Sequence, residues 1–119
     1  SITLIIIAII LGAFSSHYLN KVLLEKQISS INTGIRYQLF HSLSLIVICL
    51  NKKKFNKHLN KSLYLMLLGT IFFCFSIYLL NFNSYVEIPL FVLGPITPIG
   101  GVLLIFSWIV LLFSIKKLN

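Results

Sequence analysis

The sequence predicts an all-α membrane protein: a four-transmembrane-helix bundle with an amphipathic interfacial helix between spans one and two. Three observations predict it. The chain of 119 residues is 58% hydrophobic and only 10% charged, with a mean hydropathy of +0.99, and a soluble domain of this size needs far more charge to cover its surface. The apolar residues gather in four runs, each near the roughly 20 residues that cross a hydrocarbon core. Five of the ten basic residues, Lys52, Lys53, Lys54, Lys57 and Lys61, fall in one short segment between two of those runs. The length is that of one domain, residues 1–119.

The spans are expected at about 2–18, 35–50, 62–80 and 98–115. Transmembrane strands are excluded, because the runs show no alternating polarity and four strands cannot close a barrel. The first run, "ITLIIIAIILGAFSS", has the apolar core and small-residue end of a cleavable signal. Its continuation into an amphipathic stretch makes a retained span the expectation. The lysine-rich segment 51–61 reads as a cytoplasmic loop. Lys116 and Lys117 follow span four, so four crossings predict both termini inside. Lys21, Lys26 and Arg36 in the first external loop weaken that asymmetry without reversing it.

Residues 19–33 lead from span one towards span two. Leu19, Val22, Leu23, Ile28, Ile31 and Ile35 recur at helical spacing, interrupted by Lys21, Glu25, Lys26 and Gln27. This predicts a helix lying in the outer interface. Small residues set how the spans pack, since apolar side chains gain little by leaving lipid for one another. Ala8, Gly12 and Ser16 recur along span one. Ser62, Gly69 and Ser76 recur along span three, and Gly100, Ser107 and Ser114 along span four. These stripes predict a compact bundle. Cys49 and Cys74 both read as small packing residues.

"GPITPIGG", residues 94–101, holds two prolines and three glycines beside span four. Gly94 and Thr97 precede Pro95 and Pro98 and are expected to be extended. Thr97 is then the cap of a helix that begins at Pro98. Gly100 and Gly101 follow in its first turn, where close backbone contact is allowed. The motif is thus expected to be a structural turn.

The uncommon polar residues gather towards the predicted outer side. His17 ends span one; Arg36, Tyr37, Gln38 and His41 open span two; Tyr78 and Asn81 end span three; Thr97 opens span four. His41 lies about 7–8 Å deeper than Arg36, and ionisable groups at such depth usually face a bundle interior. His17, Arg36, Tyr37, Gln38, His41, Tyr78 and Thr97 therefore form a candidate polar pocket. The plainer reading is that they tie helix ends together.

Catalytic chemistry is disfavoured. The chain has two carboxylates, Glu25 and Glu87, both in predicted loops. It has no CxxC, no Ser/His/Asp set, no phosphate loop and no zinc spacing. No catalytic residue, metal or cofactor is expected, and nothing points to nucleic acid. The lipid bilayer is the expected partner, together with a second copy or another membrane protein.

The segments "GAFSSHYL" (12–19), "RYQLFHSLSLI" (36–46), "FSIYLL" (75–80) and "GPITPIGG" (94–101) resemble the hallmark segments of the domain-of-unknown-function 423 (DUF423) family. The family consists of small four-span membrane proteins. Span-one serines replace the family's Gly-Ala, and "FHSLSL" stands where the family has "YHALAL". The resemblance implies the four-span fold and a bacterial inner-membrane location, and carries no established activity. Its motif residues here are His17, Arg36, Tyr37, Gln38, His41, Tyr78, Pro95, Thr97, Pro98, Gly100 and Gly101.

Two functions are carried forward. One is a non-enzymatic structural or accessory membrane protein acting through helix contacts. The other is a small-molecule, lipid or ion-binding protein, or a transporter, using the His/Arg pocket.

Overall fold

The computed structural model describes residues 1–83 and 89–116. Its helices are α1 (Ile2–His17), α2 (Glu25–Leu50), α3 (Leu59–Asn81) and α4 (Leu90–Ser114), with 3-10 turns at Leu19–Lys21 and Lys52–Lys54. All four, the first counted with the turn that follows it, are long and apolar enough to cross a membrane. In lipid a helix satisfies its own backbone, which is why apolar runs of this length fold this way.

Two boundaries differ from the sequence expectation. The segment expected to be a separate interfacial helix is helical from Glu25 onward, but it is the start of α2 and runs into span two without a break. The break comes earlier, at Val22–Leu24, where the Leu24 N–H is capped by the Gln27 side chain at 3.0 Å. A helix of 26 residues is about 39 Å long, more than the hydrocarbon core, so its first turns project beyond it. Those turns are held by protein. Ile31 and Ile35 are buried with Leu19 of the first 3-10 turn and with Ile77 and Tyr78 of α3. Gln27 Nε2 donates to the Asn81 carbonyl at 3.2 Å, and Asn81 Nδ2 donates to Ser30 Oγ at 3.0 Å.

The second difference is at "GPITPIGG". The motif is not a turn, and Thr97 is not a cap: α4 begins at Leu90, with Pro89 before it, and both Pro95 and Pro98 lie inside the helix. Each proline removes one backbone donor, leaving the carbonyls of Phe91 and Gly94 without their usual partner. Gly94, Pro95 and Pro98 are all exposed. The freed carbonyls lie only about 6 Å or less along the helix from Leu90, near enough to the interface for water to serve them.

The tightest packing is between α3 and α4. Glycine explains the approach. A Cβ on Gly100 would stand 2.4 Å from the Phe73 nitrogen, and one on Gly69 would stand 2.9 Å from the Leu104 nitrogen. Ser62 Oγ donates to the Ser107 carbonyl at 2.8 Å in the same seam. The stripes of spans three and four therefore face each other, with Ser62, Ser76, Ser107 and Ser114 all buried. In α1 the match is partial. Ala8 is fully buried, Gly12 only touches Ile35, and Ser15 rather than Ser16 points inward.

Helix α1 packs chiefly on α2 and α4 chiefly on α3, so α1 and α4 occupy the two margins. The resulting body is 56 × 30 × 19 Å, about two helix layers deep. One core cluster joins α1, α2 and α3 around Ala8, Ile31 and Cys74. The other joins α2, α3 and α4 around Leu45, Met66 and Leu104. Cys74 is a packing residue as expected; Cys49 is exposed, because it lies on the outward face of α2.

Candidate functional site

The residues expected to line one pocket divide into separate groups. Gln38 is fully buried and bridges three helices. Its Nε2 donates to the Leu4 carbonyl of α1 at 2.7 Å, and its Oε1 accepts from the Tyr78 hydroxyl of α3 at 2.8 Å. Both ends of the amide are used, as a buried amide requires. Tyr78 packs closely as well: a Cβ on Gly34 would stand 2.8 Å from its ring.

His41, one turn further along α2, belongs to an aromatic group. It is 5% exposed. Its Nδ1 donates to the Tyr37 carbonyl at 2.8 Å and its Nε2 accepts from Trp108 Nε1 of α4 at 3.3 Å. Indole can only donate, so the pairing assigns the ring proton to Nδ1 and leaves neither nitrogen free for a ligand. Tyr37 and Phe40 flank the imidazole, with ring centroids 5.8 Å and 5.1 Å away. Tyr37 also lies on Phe73 of α3, at 4.8 Å.

Ser76 and Thr97 form a third group. Ser76 Oγ donates to the Phe73 carbonyl at 3.0 Å and so accepts from Thr97 Oγ1 at 2.7 Å. This bond fastens α4 to α3 beside Gly100, which is the role the structure gives Thr97. Arg36 is exposed and donates to Thr33 Oγ1 at 3.2 Å on its own helix. His17 is exposed at the end of α1. A cleft of about 370 Å³ is lined by Arg36, Tyr37, Phe40 and His41. Gln38, Tyr78, Thr97 and His17 do not line it.

Several polar contacts were missed in the sequence. Trp108 is the most important, and its signal was present: it is the one tryptophan of the chain, set in an apolar span where its N–H needs an acceptor. Ser15 Oγ, donating to Asn32 Oδ1 at 3.0 Å, was hidden by the choice of Ser16 as the inward serine. Among the described residues, no three His, Cys, Asp or Glu side chains gather as metal ligands. Ser42 Oγ is buried without a hydrogen-bond partner among the described residues.

A family model described as "Protein of unknown function (DUF423)" matches residues 11–101. That span contains all four of the segments quoted above. A UPF0382 membrane protein of Haemophilus influenzae is 36% identical over 107 residues, covering 90% of this chain and 82% of its own. The UPF0382 membrane protein YwdK of Bacillus subtilis is 32% identical over 114 residues, covering 94% of this chain and 89% of its own. The UPF0382 inner membrane protein YgdD of Escherichia coli is 31% identical over 114 residues, covering 95% and 83%. No solved structure matches the chain significantly.

Proposed function

Because this chain belongs to the DUF423 family of membrane proteins, we propose that it is a non-enzymatic inner-membrane protein that acts through helix contacts, alone or as a small accessory subunit. Both of its termini face the cytoplasm in this reading. The observation that carries it is where the intramembrane polar groups go. Gln38, His41, Tyr78, Ser62 and Thr97 each spend their hydrogen bonds on a neighbouring helix or on their own backbone. That is how a membrane bundle holds its shape, and among the described residues it leaves no nucleophile paired with a base. Its exposed apolar faces are then the surfaces through which it works.

Photo-cross-linkers placed at exposed positions of the four helices, Ile9, Val47, Leu68 and Ile105, test this in native membranes. A discrete adduct with a second copy or a second polypeptide is expected from at least one position. Lipid adducts alone from all four would sink the reading.

A second reading is favoured by the cleft that the exposed Arg36 lines together with Tyr37, Phe40 and His41. A binding protein or transporter would use it as a small-molecule, lipid or ion site. Arg36→Ala would then abolish ligand-induced thermal stabilisation without changing the melting point of the free protein. An unchanged ligand response would exclude the cleft.

A further inference from the structure

The end of the molecule that carries the lysine turn is tied to the residues after α4. Phe55 and Ile115 pair as an isolated antiparallel bridge. The Asn56 N–H donates to the Ser114 carbonyl at 2.8 Å, and the Lys116 N–H donates to the Lys54 carbonyl at 3.0 Å. Asn56 Nδ2 reaches the Phe113 carbonyl at 3.1 Å, and Lys116 Nζ reaches the Lys53 carbonyl at 3.2 Å. Two basic segments far apart in sequence are thereby clamped together, with the Lys116 ammonium against the backbone of the lysine triplet.

Among the described residues no carboxylate stands beside this cluster. Lys52, Lys53, Lys54, Lys57, Lys61 and Lys116 are all exposed. The chain has two carboxylates. Glu25 lies at the far end of α2, and Glu87 falls in the connection between α3 and α4, outside the described residues. Like charges held this close repel one another. Hydrogen bonds nevertheless hold them together, an arrangement that becomes favourable once an anion sits on it.

We infer that this lysine end is a binding site for the phosphate headgroups of anionic phospholipids. The occupant is a lipid rather than a free phosphate for two reasons. The cluster lies where the apolar helices end, which is headgroup level. An open groove of about 330 Å³ between α2 and α3 also reaches this end, lined by Leu45, Leu63 and Leu67 and opening at Cys49 and Asn60, next to Lys61 in sequence. It offers an acyl chain an apolar bed beneath the charged headgroup. The inference does not depend on the function proposed above.

Native mass spectrometry of the full chain in detergent tests it, with phosphatidylglycerol and phosphatidylcholine of the same acyl chains as probes. Wild type should retain phosphatidylglycerol at least about tenfold better. Each of Lys53→Gln and Lys116→Gln should weaken retention about fivefold, and the triple change Lys53→Gln/Lys54→Gln/Lys116→Gln about 100-fold. Lys21→Gln/Lys26→Gln, at the other end, should leave retention unchanged. Equal retention of the two lipids by wild type would overturn the inference without reference to any variant. So would an equal loss in the Lys21/Lys26 variant, or displacement of the lipid by an equal concentration of soluble glycerol phosphate. Circular dichroism on each variant separates lost binding from lost fold.

Discussion

Gln38 carries more of the helix-to-helix bonding than any other side chain near it, because its one amide bonds both α1 and α3. Replacing it with leucine keeps the bulk, removes the bond to the Leu4 carbonyl and strands the Tyr78 hydroxyl. Gln38→Leu should cost about 1–3 kcal/mol of stability. Tyr78→Phe strands only the amide oxygen and should cost about 1 kcal/mol. The double variant should cost less than the sum, since removing the hydroxyl removes the group that Gln38→Leu leaves unpaired. Unfolding in mixed detergent micelles measures all three, and strict additivity would mean the bond is not made. Ser42 gives the opposite expectation. Its hydroxyl is buried without a partner among the described residues, so Ser42→Ala should leave stability unchanged or raise it by up to about 1 kcal/mol. A clear loss would mean that the hydroxyl has an acceptor after all.

Among the elements, α4 shows where reading the chain succeeded and where it failed. Its run of apolar residues and its Gly100/Ser107/Ser114 stripe were readable, because membrane hydropathy and close packing are written in single residues. Its start is not legible from Pro95 and Pro98, because prolines that end a helix in water are tolerated inside one that crosses lipid. Breaking a helix within lipid exposes several backbone groups, whereas continuing it through a proline frees one carbonyl. Length held the missing clue. Eighteen residues from Pro98 to Ile115 would span only about 27 Å, and the apolar stretch after Pro89 supplies the rest. The boundary of α2 was missed for a related reason: its amphipathic turns bury their apolar face on α3 rather than in the interface, a choice that only the tertiary fold makes. The polar site was legible as a list of residues but not as a grouping, since partners such as Trp108 lie on another helix.

The glycines of α4 give this element its test. Gly100→Ala drives a Cβ into the Phe73 backbone, and backbone cannot move aside as a side chain does. The helices must part, at a cost of about 1–3 kcal/mol or more. Gly94→Ala meets nothing within 4 Å beyond its chain neighbours. The Pro95 ring disfavours a Cβ on the helical residue before it, which offsets the gain in helix propensity, so the change should be near neutral and leave the seam intact. Equal effects of the two substitutions would contradict the α3–α4 seam.

For the whole molecule, the bridge between Phe55 and Ile115 has a consequence for topology. It places the lysine turn and the end of α4 at one end, and Ser1 shares a cleft with Asn60 and Tyr64 at that same end. Whatever the orientation, these three parts must lie on one side of the membrane. In the proposed orientation, charge chooses the side. Lys52, Lys53, Lys54, Lys57, Lys61 and Lys116 stand at this end, against Lys21, Lys26 and Arg36 at the other, and cationic loops are retained in the cytoplasm. Single cysteines in a Cys49→Ala background make this measurable, because Cys74 is buried and shielded from reagent. In intact cells an impermeant maleimide should label Lys26→Cys, and should label Lys57→Cys and Lys116→Cys only after permeabilisation. The mirror pattern would reverse the orientation while keeping the fold. Opposite results for Lys57→Cys and Lys116→Cys would break the fold itself, because the bridge cannot form across a bilayer.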